Sequence, residues 1–258
     1  MSAKKTQFAV TAAVEIGYRF IDTAQMYHNE DAVGRGLEEL FLSGAVKRED
    51  VIVATKVSVF SCKPGKLRKS AEESLVKLRL DYVDILYVHW PAFAFGYSHE
   101  ETLGAMAGLV DRGMVRHIGV SNFSPRLLDE AGKACPEPVA VIQVEHHPLL
   151  KQLELRSYLE TKGIPLVAYS PLARGKLHGL AEIEGVAEKH GVSVSRTALA
   201  WLMHHGAVPI PKASSRAHLE DNFGAVNLKL DDADIEAIDG ISIEKRLLNP
   251  PVIGLKEW

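Results

Sequence analysis

Short apolar runs alternate with amphipathic stretches through almost the whole chain, at a spacing of roughly 20 to 40 residues. The runs are Tyr18 to Ile21, Val51 to Thr55, Val83 to Val88, His117 to Val120, Val139 to Ile142, Pro165 to Ala168 and Ala207 to Ile210. Strands separated by helices cannot pair as hairpins, so they require parallel pairing through right-handed crossovers. The helical stretches carry their own signals. Phe8 to Ile16, closed by Gly17, reads as a first helix, and the polar segment Met1 to Gln7 reads as lying outside it. Asn29 reads as an N-cap with Glu30 and Asp31 in the first turn, Ser98 with Glu101 as a capping box, and Ser124-Pro125 as a helix start. A barrel or a doubly wound sheet would hold seven such strands within 258 residues. No composition break, linker or low-complexity run divides the chain, so residues 1–258 read as one α/β domain ending in an irregular tail, Arg246 to Trp258.

Charge and composition exclude several classes of partner. Thirty basic against thirty-three acidic side chains give a net charge of −3, which leaves no footprint for nucleic acid or an anionic membrane. No apolar stretch approaches the roughly 20 residues of a membrane span, and no basic n-region precedes an apolar one. The expected location is the cytoplasm. Two cysteines far apart, Cys62 and Cys135, fit a reducing compartment. The pairs His146-His147 and His204-His205 are adjacent in sequence and so point different ways; no metal site is expected from them.

The ends of the apolar runs carry the chemistry. In the stretch Arg19 to Tyr27 a short apolar run ends on a carboxylate, Asp22, and a phenol, Tyr27, follows five residues later in a polar turn. Lys56, His89, Asn122, Gln143, Tyr169 and Lys212 stand at the ends of the other runs. Any one of these is ordinary as a capped strand or a solvated turn. Seven together are not, because in a parallel barrel the carboxyl ends of the strands share one mouth. A phenol titrates near pH 10, too high to work well as an acid or base at neutrality, and a nearby ammonium favours its ionised form. A carboxylate in turn holds a buried ammonium charged. Asp22, Tyr27, Lys56 and His89 therefore read as a proton donor matched to a developing alkoxide, as in carbonyl reduction. The chain lacks GxGxxG, since Gly34-Arg35-Gly36 continues into Leu37-Glu38-Glu39 within a helical pattern, which argues against a Rossmann site. Asn122 and Gln143 instead suit a carboxamide, Tyr169 suits stacking on a nicotinamide, and Lys212 and Ser214 at the start of an expected helix suit a phosphate.

At these residues the chain closely resembles the aldo-keto reductase family. The motifs are Gly17-Tyr-Arg-Phe-Ile-Asp-Thr-Ala-Gln-Met-Tyr-His-Asn-Glu, Thr55-Lys56, Val88-His-Trp-Pro, Gly119-Val-Ser-Asn-Phe, Tyr169-Ser-Pro-Leu and Ile210-Pro-Lys, spread from about Gly17 to Asn249. The resemblance implies a TIM (β/α)8-type barrel and NADPH-dependent reduction of aldehydes or ketones, with NADH as the other cofactor to consider. It assigns Tyr27 as general acid, Lys56 and Asp22 as the pair that tunes it, and His89 as the residue orienting the substrate. Ser121, Asn122 and Gln143 would hold the carboxamide, Tyr169 would stack on the nicotinamide, and Ser170 and Leu172 would lie along the pyrophosphate. Lys212, Ser214, Asp221 and Asn222 would bind the adenosine end. His218 stands where the family often has an arginine, and Arg216 is a nearby substitute. Trp90 would wall the substrate pocket, with Phe60 and Phe93 beside it, which suits small aldehydes, dicarbonyls or keto sugars; a monomer or weak oligomer is expected. The family's barrel opens with a strand before the first helix, and this chain begins at about that helix. Seven strands are therefore expected, with exposed edges, a weakened fold and impaired cofactor binding. Two alternatives stay open: an impaired reductase-like barrel acting as a nucleotide-binding or structural protein, and a metal-dependent hydrolase, which would need ligand clusters the sequence does not display.

Overall fold

Capping, register and burial order the elements as the alternation predicts in the computed structural model, which describes residues 1–250. Internal contacts divide the chain into two units, Met1–Ile142 with Pro250, and Gln143–Asn249.

The first unit opens on α1 (Ala3–Ile16). This helix takes in most of the segment expected to precede it. Ser2 explains why: its hydroxyl accepts from the Lys5 N–H at 3.4 Å, and Ala, Lys and Gln are good helix formers even where they are polar. Gly17, at φ 130°, ends the helix. The strands β1 (Phe20–Asp22), β2 (Ile52–Val57), β3 (Val83–Val88) and β4 (Val115–Ser121) follow, separated by α2 (Glu30–Leu42), α3 (Pro64–Leu78) and α4 (Gly104–Asp111). Neighbouring strands pair in parallel, with Asp22 opposite Ala54, Lys56 opposite Tyr87, and Tyr87 opposite Gly119. Helix α5 (Pro125–Ala134) begins as expected, with Ser124 accepting from the Leu127 N–H at 3.4 Å.

Several boundaries differ from the sequence reading. Asp22, Lys56 and Ser121 lie inside the strands rather than beyond them, because ladder pairing continues through a polar residue whose side chain is itself satisfied. Asn29 stands at the N-cap of α2 but makes no capping bond; its Oδ1 accepts from the Thr23 hydroxyl at 2.7 Å instead. Ser98 does cap, accepting from the Glu101 N–H at 3.3 Å, but the helix opens with a π turn, His99–Leu103, before α4. The Gly34-Arg35-Gly36 stretch has a packing role: a Cβ on Gly34 would fall 2.3 Å from the Lys77 carbonyl oxygen, so the glycine is what lets α2 lie against the end of α3. At the amino ends of the strands, Asp84 accepts from the Val53 N–H (2.9 Å) and from Arg48 (2.7 Å) and pairs with Arg116 at 3.3 Å. Both guanidinium groups lie 4.1 Å from the centre of the Tyr82 ring, so this end is a structural clamp.

The second unit begins within β5 (Val139–Glu145) at Gln143 and continues through α6 (Leu153–Lys162), β6 (Leu166–Tyr169), α7 (Ala181–His190), α8 (Val194–His204), β7 (Ala207–Pro209), α9 (Arg216–Phe223) and α10 (Asp232–Asp239). β6 and β7 pair in parallel, with Val167 opposite Val208. Trp201, fully buried on α8, donates its indole N–H to Asp239 at 3.0 Å. The histidine pairs serve packing here. His146 Nδ1 meets the Leu150 carbonyl oxygen at 2.9 Å and His147 donates to Glu145 at 3.1 Å, both rings fully buried, while the rings of His204 and His205 meet edge-on. Glu145 also accepts from the N–H groups of Leu247 and Leu248, each at 2.9 Å. The early part of the expected irregular tail is thereby fastened; its remainder, 251–258 with Trp258, lies outside the described residues. No helix among the described residues is long and apolar enough to cross a membrane.

Candidate active site

The carboxyl ends of β1, β2 and β3 lie side by side in the first unit, and this adjacency assembles the four residues expected to act together. Lys56 is fully buried, and its ammonium makes a very short ion pair with Asp22 and donates to the Thr23 carbonyl oxygen at 2.9 Å. A buried cation without such partners would be strongly destabilising. The same Nζ stands 5.1 Å from the centre of the Tyr27 ring and 5.9 Å from that of Tyr87. Tyr27 sits in a short 3-10 turn, Gln25–Tyr27, after β1, and is half exposed. Its ring meets that of His89 edge-on at 5.7 Å.

His89 follows β3 directly. Burial, and secondarily the charge on Lys56, push its imidazole down to about 3, so the ring is neutral across the physiological range. Its Nδ1 is buried without a hydrogen-bond partner among the described residues. An orphaned lone pair is less costly than an orphaned N–H, so the tautomer with its proton on Nε2 is favoured. Behind it, Asn122 takes a left-handed backbone (φ 63°) and donates to the His89 carbonyl oxygen and to Ser121 Oγ, each at 3.0 Å. Ser121 and Asn122 are almost fully buried, so the strand end behind the imidazole is fixed.

Trp90 is buried with Val59 and Ala92, and Phe95 packs on that cluster. Phe60 and Phe93 are exposed: Phe60 meets Phe95 edge-on at 5.1 Å and Phe93 meets Tyr97 at 5.2 Å. Sequence reasoning missed Tyr87, Phe95 and Tyr97. Only the register that sets Tyr87 beside Lys56 singles it out, and Gly119 opposite is the trace it leaves in the sequence: a Cβ there would fall 2.4 Å from the Tyr87 ring. Gln25, which ties the Tyr27 turn to its surroundings, was likewise unread.

The second unit holds the residues expected at a nucleotide. Gln143 is buried, Tyr169 closes β6, and Ser170, Ala173 and Arg174 take left-handed backbone, φ 45–53°, on either side of Leu172. Lys212 and Ser214 precede α9 instead of opening it; its cap is Ser215, which accepts from the His218 N–H at 3.3 Å. Lys212, Ser214 and His218 are exposed, whereas Asn222 is buried. Asp221 is engaged within the unit, accepting from Ser193 at 2.5 Å and pairing with Arg196 at 3.1 Å. Buried amides, an aromatic face and an exposed ammonium are a donor set that fits a nicotinamide dinucleotide.

Comparison with known proteins agrees with this chemistry. The model of the aldo/keto reductase family matches residues 1–243. Methylglyoxal reductase DkgB of Escherichia coli O157:H7 is 37% identical over 251 residues, covering 97% of this chain and 92% of its own. Aldose reductase from Giardia lamblia superposes with a TM-score of 0.92 at 29% identity, over 98% of this chain and 93% of that one. An aldo-keto reductase of Bombyx mori, solved in complex with NADP, superposes with a TM-score of 0.85 at 29% identity, over 93% of this chain and 83% of its own.

Proposed function

The chain belongs to the aldo/keto reductase family, and on that premise we propose that it reduces small aldehydes, dicarbonyls or keto sugars to alcohols with NADPH, Tyr27 giving the proton. Carbonyl reduction is the activity of the family; the substrate class, the cofactor preference and the residue roles are the proposal. One observation carries it: a half-exposed phenol flanked by a buried ammonium–carboxylate pair and a neutral imidazole.

Each group has a distinct task. NADPH supplies the hydride when bound. Asp22 and the Thr23 carbonyl hold the Lys56 ammonium in place, and its positive field falls on the phenol. Charge developing on the substrate oxygen as hydride arrives is then met by a proton from Tyr27 and a hydrogen bond from neutral His89. A charged imidazole beside Lys56 would be repelled, which is why burial keeping His89 neutral serves the chemistry. The exposed rings of Phe60 and Phe93 offer an apolar surface for the rest of a small substrate. In the second unit Gln143 would bind the carboxamide, Tyr169 the nicotinamide face, Ser170 and Leu172 the pyrophosphate, and Lys212, Ser214, His218, Asp221 and Asn222 the adenosine end. An exposed lysine at the adenosine end favours a 2′-phosphate and hence NADPH. The thiols of Cys62 and Cys135 are free, which fits the reducing cytoplasm.

The test is Tyr27→Phe. Reduction of methylglyoxal should fall at least about a thousandfold, while NADPH binding, followed by fluorescence titration, stays within about twofold. Retained turnover in that variant would remove Tyr27 from its role.

A further inference from the structure

The turn that carries Tyr27 is weakly held by its own backbone. It closes with Tyr27 N–H to the Ala24 carbonyl at 3.0 Å and His28 N–H to the Gln25 carbonyl at 3.3 Å, with His28 in the left-handed region (φ 51°). Nor does burial fix the phenol, which is half exposed. The side chain of Gln25 supplies what the backbone lacks. Its Oε1 accepts from the Ser58 N–H at 2.8 Å, and its Nε2 donates to the Ser70 carbonyl oxygen and to Ser74 Oγ, each at 3.1 Å.

These three bonds define a bracket. Ser70 and Ser74 lie one turn apart on α3, whose Leu67, Ala71, Leu75 and Leu78 are buried, so that side of the bracket is rigid. Ser58 caps the short turn Val59–Ser61, which presents Phe60. The amide has one workable orientation: flipped, it would set an NH2 against the Ser58 N–H and an oxygen against the Ser70 carbonyl. No charged residue reproduces it, since a carboxylate cannot donate and an ammonium cannot accept.

We propose that Gln25 is a positioning residue, fixing the Tyr27 turn against α3 and against the turn that presents Phe60, and so setting the distance of the phenol from Lys56 and His89. The proposal rests on the reading of Tyr27 as the acid. Displacing a reacting group by about 1 Å can cost on the order of a hundredfold in rate, so the bracket should act on kcat rather than on cofactor affinity.

The experiment compares Gln25→Met, which removes all three bonds at similar volume, with Ser74→Ala, which removes one from the far side. Steady-state kinetics with methylglyoxal and with an aromatic aldehyde are read across pH, together with NADPH titration and melting temperature. Gln25→Met should lower kcat at least about tenfold and move its pH profile, with NADPH affinity within about twofold; Ser74→Ala should lower kcat less, in the same direction. Wild-type kcat and pH profile in Gln25→Met overturn the proposal whatever the melting temperature does, and so does a loss confined to NADPH affinity. If Gln25→Met does not accumulate as folded protein, Gln25→Glu, which keeps the acceptor for Ser58 and loses both donors, is read by the same criteria. Tyr27→Phe in parallel separates the two ideas. Turnover by that variant defeats the reading of Tyr27, whereas its inactivity beside a silent Gln25→Met defeats only the bracket.

Discussion

Lys56 shows how much of the site depends on one side chain having the right partners. Its ammonium is fully buried, held by Asp22 and the Thr23 carbonyl. Asp22→Asn removes the charge and leaves the cation uncompensated, which for a buried pair costs about 3 kcal/mol or more. Urea unfolding should register that loss alongside a collapse of kcat; a change below about 1 kcal/mol would mean that Thr23 suffices. Asp22, Lys56 and His89 were legible as candidates in the sequence because each stands at the end of a hydrophobic run, and Tyr27 because it follows one in a polar turn. Their spacing was not. Gln25 and Tyr87 stayed hidden for the same reason, since nothing local distinguishes an amide that spans two elements, or a strand tyrosine beside a buried lysine, from ordinary strand and turn residues.

Among the elements, glycine and capping residues decide how helices seat on strands. Gly34 allows α2 to approach the Lys77 carbonyl more closely than any Cβ permits. Gly34→Ala must therefore push the two helices apart. Even with the better helix propensity of alanine, it should destabilise by about 2 kcal/mol or more; an unchanged or raised melting temperature would refute the close approach. In the sequence Gly34-Arg35-Gly36 reads only as an incomplete phosphate-loop pattern, and its packing role needs the end of α3, more than forty residues on. The strands themselves were largely legible from periodicity. Their ends were not, because whether Asp22, Lys56 or Ser121 remains in the ladder depends on the neighbouring strand.

For the whole molecule, acid is the expected weakness. Burial, helped by Lys56, pushes His89 down to about 3. Burial also pushes His146 to about 3, against the opposing bond to Leu150. The unfolded chain takes up these protons near pH 6.5 and the folded chain does not, so stability falls as pH drops from about 6.5 toward 3, by up to about 1.4 kcal/mol per pH unit for each ring. Glu145 acts in the same direction at lower pH. Burial alone would raise its carboxyl, but the bonds from His147, Leu247 and Leu248 prevail and hold it below its usual range, so its contribution is lost as pH falls through that depressed range. Urea unfolding at pH 7 and pH 5 should differ by a few kcal/mol; equal stabilities would show that these rings are not held neutral. By itself the sequence determined the α/β alternation, the parallel pairing and the identity of the four residues at the candidate site, because periodicity and strand-end chemistry are local properties of the chain. Only the tertiary structure decided which strand stands beside which, that Lys56 is buried against Asp22, that His89 is neutral, and that Gln25 brackets the Tyr27 turn. Those are facts of distance and desolvation between residues tens of positions apart, and they exist only once the chain has closed on itself.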